Sequence, residues 1–79
     1  MFVDTYKSAK DHTKFFTVPA GTDIKPLKFD DPDLHEVQAH NINLDIAPSD
    51  KRIGFDSAAA IAAIRKDGVY IHQAEIKLS

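Results

Sequence analysis

The chain has no cysteine. That absence excludes disulfides, thiolate metal sites and a cysteine nucleophile, and it fits a reducing compartment. Glycine is scarce: Gly21, Gly54 and Gly68 are the only three, and their scatter excludes a GxGxxG turn or a P-loop that would cradle phosphate. None of the serines (Ser8, Ser49, Ser57 and Ser79) stands in a GxSxG elbow. Long apolar runs are missing too. The longest uncharged one, residues 58–64, is far too short to span a bilayer. The opening MFVDTYKSAKDH lacks a basic region followed by an apolar core, so the reading is a cytoplasmic protein without a signal peptide.

With 79 residues, the chain is read as a single small globular domain, 1–79. A core of this size contributes only about 3–5 kcal/mol net. Without disulfides, stability has to come from apolar packing, extended if copies associate. The chain is 43% apolar and 28% charged with both signs present, a composition that folds rather than staying disordered.

Charge is unevenly laid out. Residues 1–28 sum to +2, residues 29–50 to −6 with no Lys or Arg, and residues 51–79 to +2. Such asymmetry bears on partners and association rates rather than on the fold.

The local signals run as follows. Residues 2–14 fit either a helical stripe or a strand face; a hairpin over 2–18 is favoured over a helix followed by a strand, and its second strand, TKFFTV, is rich in β-branched and aromatic residues and stops at Pro19. Residues 24–29 allow a short extended piece broken by Pro26. Asp31 followed by Pro32 marks a helix start with too few apolar residues to continue beyond one turn. HNINLDIA alternates strictly, placing Ile42, Leu44 and Ile46 on one face of a half-buried strand. A helix over about 57–66 has Asp56 or Ser57 as its cap, Ile61 and Ile64 toward the core, Arg65 and Lys66 in its last turn and Gly68 as its stop. In the closing VYIHQAEIKLS the apolar face switches sides near His72 and Gln73, as in a central strand covered on both sides or one with a bulge. The expected architecture is α+β: a small antiparallel or mixed sheet of roughly three or four strands, in a ββ(β)βαβ-like order, with one helix across one face. The other face is expected to be wet or to be a binding surface.

Few residues invite chemistry. His35, Glu36 and His40 in HEVQAH differ from the zincin HExxH, because histidines five apart are rotated by about 140° on a helix and point to opposite faces of a strand. Asp30, Asp31 and Asp33 lack the glycine and the bidentate glutamate of a calcium loop. No metal, cofactor or catalytic residue is therefore assigned, and the chain is read as not an enzyme. His72 is more simply a partly buried histidine satisfied by its neighbours than a ligand group.

What remains is binding. The leading expectation is a non-catalytic protein-binding module, a regulator or inhibitor. It would dock through the acidic centre (Asp30, Asp31, Asp33, Glu36 and Asp45) onto a basic partner, or pair through a strand edge, which could also make a homodimer. Small inhibitors carried by phages and mobile elements share this size and economy, an analogy of size and not of motif. The alternative is nucleic-acid binding through Lys14, Phe16, Arg52 and Arg65, set against a near-neutral chain with an acidic centre. A third reading is a small-ligand or metal sensor using His35, His40 or His72. Under the acidic-surface expectation, reversing Asp30, Asp31 and Asp33 to Lys weakens partner capture and flattens its salt dependence.

Overall fold

The computed structural model describes residues 1–50 and 55–73. In chain order they form β1 (Phe2–Ser8), β2 (Lys14–Pro19), a 3-10 turn (Pro32–Leu34), β3 (Val37–Asp45), α1 (Ser57–Asp67) and β4 (Tyr70–Gln73). The strands make one antiparallel sheet in the order β3-β1-β2-β4. The fold is thus the small α+β domain the sequence implies, with the sheet wholly antiparallel.

β1 and β2 are a hairpin and the centre of the sheet. Their reversal is built from side chains. The buried Ser8 hydroxyl accepts from the N–H groups of Lys10 and Asp11 at 3.1 and 2.9 Å. The Asp11 carboxylate accepts from the Thr13 N–H at 3.0 Å and hydroxyl at 2.7 Å. Short polar side chains thereby satisfy backbone that has left the ladder. α1 starts and stops as its sequence dictates. The Asp56 side chain accepts from the Ala59 N–H at 3.0 Å, and Gly68 takes φ 78° while its N–H returns to the Ile64 carbonyl at 2.8 Å.

Strand alternation divides the sheet between two apolar clusters. On one face Val3 and Ile46 meet Ala60, Ile61 and Ile64 of the helix, with Leu44, Phe55 and Tyr70 at the margin. The alanines leave the helix thin enough to lie close to the strands. On the opposite face Phe16 and Val18 meet Leu34 of the 3-10 turn, and Tyr6, Ile24, Leu27, Phe29, Val37 and Val69 pack around them. The second face is therefore not left wet. Irregular chain between β2 and β3 lies across it, because Phe16, Val18 and Tyr6 need cover and no second helix among the described residues supplies it.

Two further expectations change. Ile42 does not join Leu44 and Ile46 on a buried stripe; it is 56% exposed. The β1–β3 register shifts between Val3 and Thr5 and again between Thr5 and Tyr6, each time with extra residues in β3, and Asn43 adopts φ 57°. Bulged residues break the two-residue period on which the expectation rested. β4 is an edge strand and not a central one, with Ile71 55% exposed. The apolar alternation expected over 74–78 lies outside the described residues.

One buried carboxylate holds two of the three left-handed positions among the described residues. Asp4 is 5% exposed, and its two oxygens accept from the Asn43 N–H at 2.8 Å and the Gly21 N–H at 3.0 Å. Asn43 belongs to the β3 bulge and Gly21, at φ 82°, to the turn leaving β2. Asp4→Ala would leave both donors without this acceptor. It is expected to lower stability by about 3 kcal/mol, as two hydrogen bonds to a charged group imply, read as a fall in the urea midpoint at unchanged slope. A change below about 0.5 kcal/mol would show that the carboxylate does not hold the bulge.

Candidate partner-binding groove

The irregular segment does not seal the face it covers. Between residues 24–29, the 3-10 turn and the start of β3 lies a surface groove of about 870 Å³. Its floor is apolar: Phe16 and Leu34 are buried beneath it, and Ile24, Leu27, Phe29 and Val37 form its sides. Phe16 is itself fixed by a stacked contact with Tyr6 at 5.2 Å and a tilted one with Phe29 at 4.8 Å between ring centroids. Lys25, Lys28, His35 and Glu36 are the charged and titratable residues that line it.

The 3-10 side of the groove is tied to the hairpin. Ser8 donates its hydroxyl hydrogen to the Asp33 carbonyl, and the Ala9 N–H donates to the Glu36 carbonyl at 2.8 Å. Lys14 then clamps the turn, its ammonium 2.8 Å from Asp31 and 2.9 Å from Asp33. The hydrogen bond from Lys14, helped by the Asp33 N–H, pulls the Asp31 carboxyl below its ordinary 3.8. The two carboxylates push Lys14 above its ordinary 10.5. By linkage the pairing contributes fully between those ordinary values; it is lost as pH falls through the lowered Asp31 pKa or rises through the raised Lys14 pKa.

This geometry redistributes the residues singled out by sequence. Asp31 and Asp33 spend their charge on Lys14. Asp45 lies at the end of β3, 3.5 Å from the Met1 ammonium. Asp30 and Glu36 are exposed. The five acids do not form one open surface, because the cation that partners two of them comes from β2, 17 and 19 residues away in sequence. Reversing Asp31 and Asp33 would break the clamp as well as change the surface, so that test reads stability and binding together.

The four residues proposed for nucleic acid are not brought together either. Phe16 is 1% exposed under the groove, Lys14 is held by its two carboxylates, Arg65 is exposed on the last turn of α1, and Arg52 lies outside the described residues. The ring that faces outward is Phe15, on the helix side of the sheet. There it stacks on His72 at 5.4 Å, His72 stacks on Tyr70 at 4.8 Å, and His40 and Phe55 close the row with tilted contacts. Sequence reasoning missed this row; its signal was the cross-strand pairing of Phe15 with His72, which needs the register to be seen. These rings stack on one another rather than presenting flat faces. The three histidines of the sensor reading are dispersed. His35 bonds the Phe29 carbonyl beside the groove, and His40 and His72 are in the ring row. No group of three or more His, Asp or Glu that could hold a metal occurs among the described residues.

Comparison with protein-family models, with curated proteins and with solved structures finds no match to this chain. The functional reading therefore rests on the geometry above. No helix among the described residues is long and apolar enough to cross a membrane.

Two measurements check the site. Lys14→Ala is expected to speed amide exchange at Leu34 and His35, whose N–H groups bond the carbonyls of Asp31 and Pro32 in the turn, while exchange in α1 is unchanged. Uniform acceleration across the molecule would show that the clamp is not local. For the ring row, burial and then the charge of His40 lower the His72 pKa from 6.5 to about 4. A cationic group whose folded pKa is depressed binds its proton more readily when unfolded, so stability from His72 is complete above pH 6.5 and lost as pH falls toward about 4. His72→Phe, which keeps a ring between Phe15 and Tyr70, is expected to flatten the urea midpoint across that window. An undiminished pH dependence would sink the assignment.

Proposed function

We propose that this chain is a non-catalytic protein-binding module, a regulator or inhibitor of its partner, that docks through the face crossed by residues 20–36 and the adjoining margin of β3. The observation that carries the reading is the open groove: above its buried base of Phe16 and Leu34, the half-buried sides Ile24, Leu27, Phe29 and Val37 leave apolar surface to water, and specific binding sites are concavities of this kind. β3 supports it as the sheet's long edge. From Val37 to Leu44 it carries no charged residue, and its residues 38–43 are all exposed. Charged residues are a common device that keeps sheet edges from pairing, and here the β3 bulges alone remain to limit where a second strand could add. Catalysis receives no support from the site: its polar side chains are two lysines, a histidine already bonded to a carbonyl, one glutamate and one glutamine.

A photo-crosslinking residue placed at Gln38, on the groove and the edge, tests this against the same residue at Ala62, exposed on the helix. The expected result in cells is a discrete adduct at 38, none at 62, and loss of the adduct when Leu27→Glu puts a charge into the groove wall. An adduct of twice the chain's mass would make the partner a second copy, joined through β3. Equal labelling at both positions, or none at 38, overturns the proposal.

A further inference from the structure

We propose that the groove receives an extended segment of a partner protein carrying an apolar side chain with one or more carboxylates beside it. The inference rests on the protein-binding reading and names the chemistry of what is bound. It reverses the charge sign expected from sequence, where the acidic centre suggested a basic partner.

The apolar part follows from the half-buried Ile24, Leu27, Phe29 and Val37 that side the groove over Phe16 and Leu34. The carboxylate follows from the loop wall. The Leu27 N–H bonds the Ile24 carbonyl at 3.1 Å, and the Lys25 N–H bonds the Asp23 carboxylate at 3.1 Å. That turn sets Leu27 against the floor and places exposed Lys25 and Lys28 on either side of it in sequence. Neither ammonium has an ion-pair partner among the described residues, whereas Lys14, the cation nearest the 3-10 turn, is committed to Asp31 and Asp33. A carboxylate entering the groove is drawn to Lys25 and Lys28 and repelled by Glu36, which also lines it, so the charge pattern sets the sign a bound segment carries there. The extended backbone follows from where the groove ends. Val37 and Gln38 line it and begin edge strand β3, whose outer side has no strand beside it among the described residues. An edge offers backbone N–H and C=O groups that an extended peptide can pair with and an acyl chain cannot.

Selection of phage-displayed random short peptides on the intact protein tests this. Enriched sequences are expected to combine an aliphatic or aromatic residue with nearby Asp or Glu. Their affinity should fall about tenfold when Lys25→Glu and Lys28→Glu are combined, and should lose most of its salt dependence. Both lysines are exposed, so the double variant is expected to melt like the parent, which separates lost binding from lost fold. Ala62→Glu on the far face should leave affinity unchanged. Enriched peptides that are basic or uncharged, or whose affinity ignores the lysine reversal, overturn the inference; if they still lose affinity with Leu27→Glu, the groove remains a protein-binding site and only its charge preference was misjudged. Absence of any enriched peptide overturns the inference, and absence of the adduct at position 38 overturns the broader reading with it. Competition of the selected peptides by a fatty acid, without loss on lysine reversal, would assign the groove to lipid instead.

Discussion

A sheet has two faces, and among its described residues this chain has one helix to cover them. Everything distinctive about the molecule follows from that mismatch. The strands carry apolar residues on both sides: Val3 toward the helix, and Phe16 and Val18 away from it. No second helix occurs among the described residues, and the stretch between β2 and β3 does the work with irregular backbone. Irregular backbone satisfies its own hydrogen bonds poorly, so it needs polar anchors, and it packs less completely than a helix, so it leaves a concavity. The groove is the residue of that solution.

The anchors converge on the hairpin, the most internally bonded part of the sheet. Ser8 completes the β1–β2 reversal and also reaches the Asp33 carbonyl. Lys14 starts β2 and binds both carboxylates of the 3-10 turn. At the other end of β1, Asp4 grips Gly21, where the covering segment departs, and Asn43, where β3 bulges. The covering segment is thus tied at its exit by Asp4 and at its return by Ser8, Ala9 and Lys14. Residues 24–29, between those ties, hold to the sheet mainly through apolar contacts of Ile24, Leu27 and Phe29. Local stability in a domain is lowest where buried contacts are few, so this stretch is the part best able to adjust to a ligand.

Elements whose signals are local were legible in the sequence. The helix could be read because Asp56, the spacing of Ile61 and Ile64, and Gly68 act within a turn or two of themselves. The 3-10 turn could be read because Asp31 and Pro32 are neighbours, and the hairpin's second strand because TKFFTV is β-rich, whereas residues 2–12 fit strand and helix alike until β1 is seen between β2 and β3. What failed depended on partners far away in sequence. Ile42 was placed inside by a two-residue period that two register shifts against β1 interrupt. The nucleic-acid alternative needs Phe16 at the surface, but alternation says only that Phe15 and Phe16 face opposite ways; deciding between them needs the knowledge that the Phe16 side has a cover. Ile24, Leu27 and Phe29 looked like scattered apolar residues in a loop, and only the sheet beneath them makes them walls.

The acidic centre shows most clearly why a count of charges along a chain is not a field. A segment summing to −6 suggested an anionic face. Folding sets Lys14 against two of those carboxylates, while Asp45 lies at the end of β3 beside the Met1 ammonium. The lysines that belong to the preceding basic stretch, Lys25 and Lys28, are carried across the sheet and left facing the groove. Paired charges a few ångströms apart cancel beyond a Debye length, so what an approaching partner meets is set by the unpaired ones and by the apolar surface they frame. At the groove stand Lys25 and Lys28, without an ion pair among the described residues, together with Glu36, an arrangement that no net value, for the segment or for the whole chain, could have expressed.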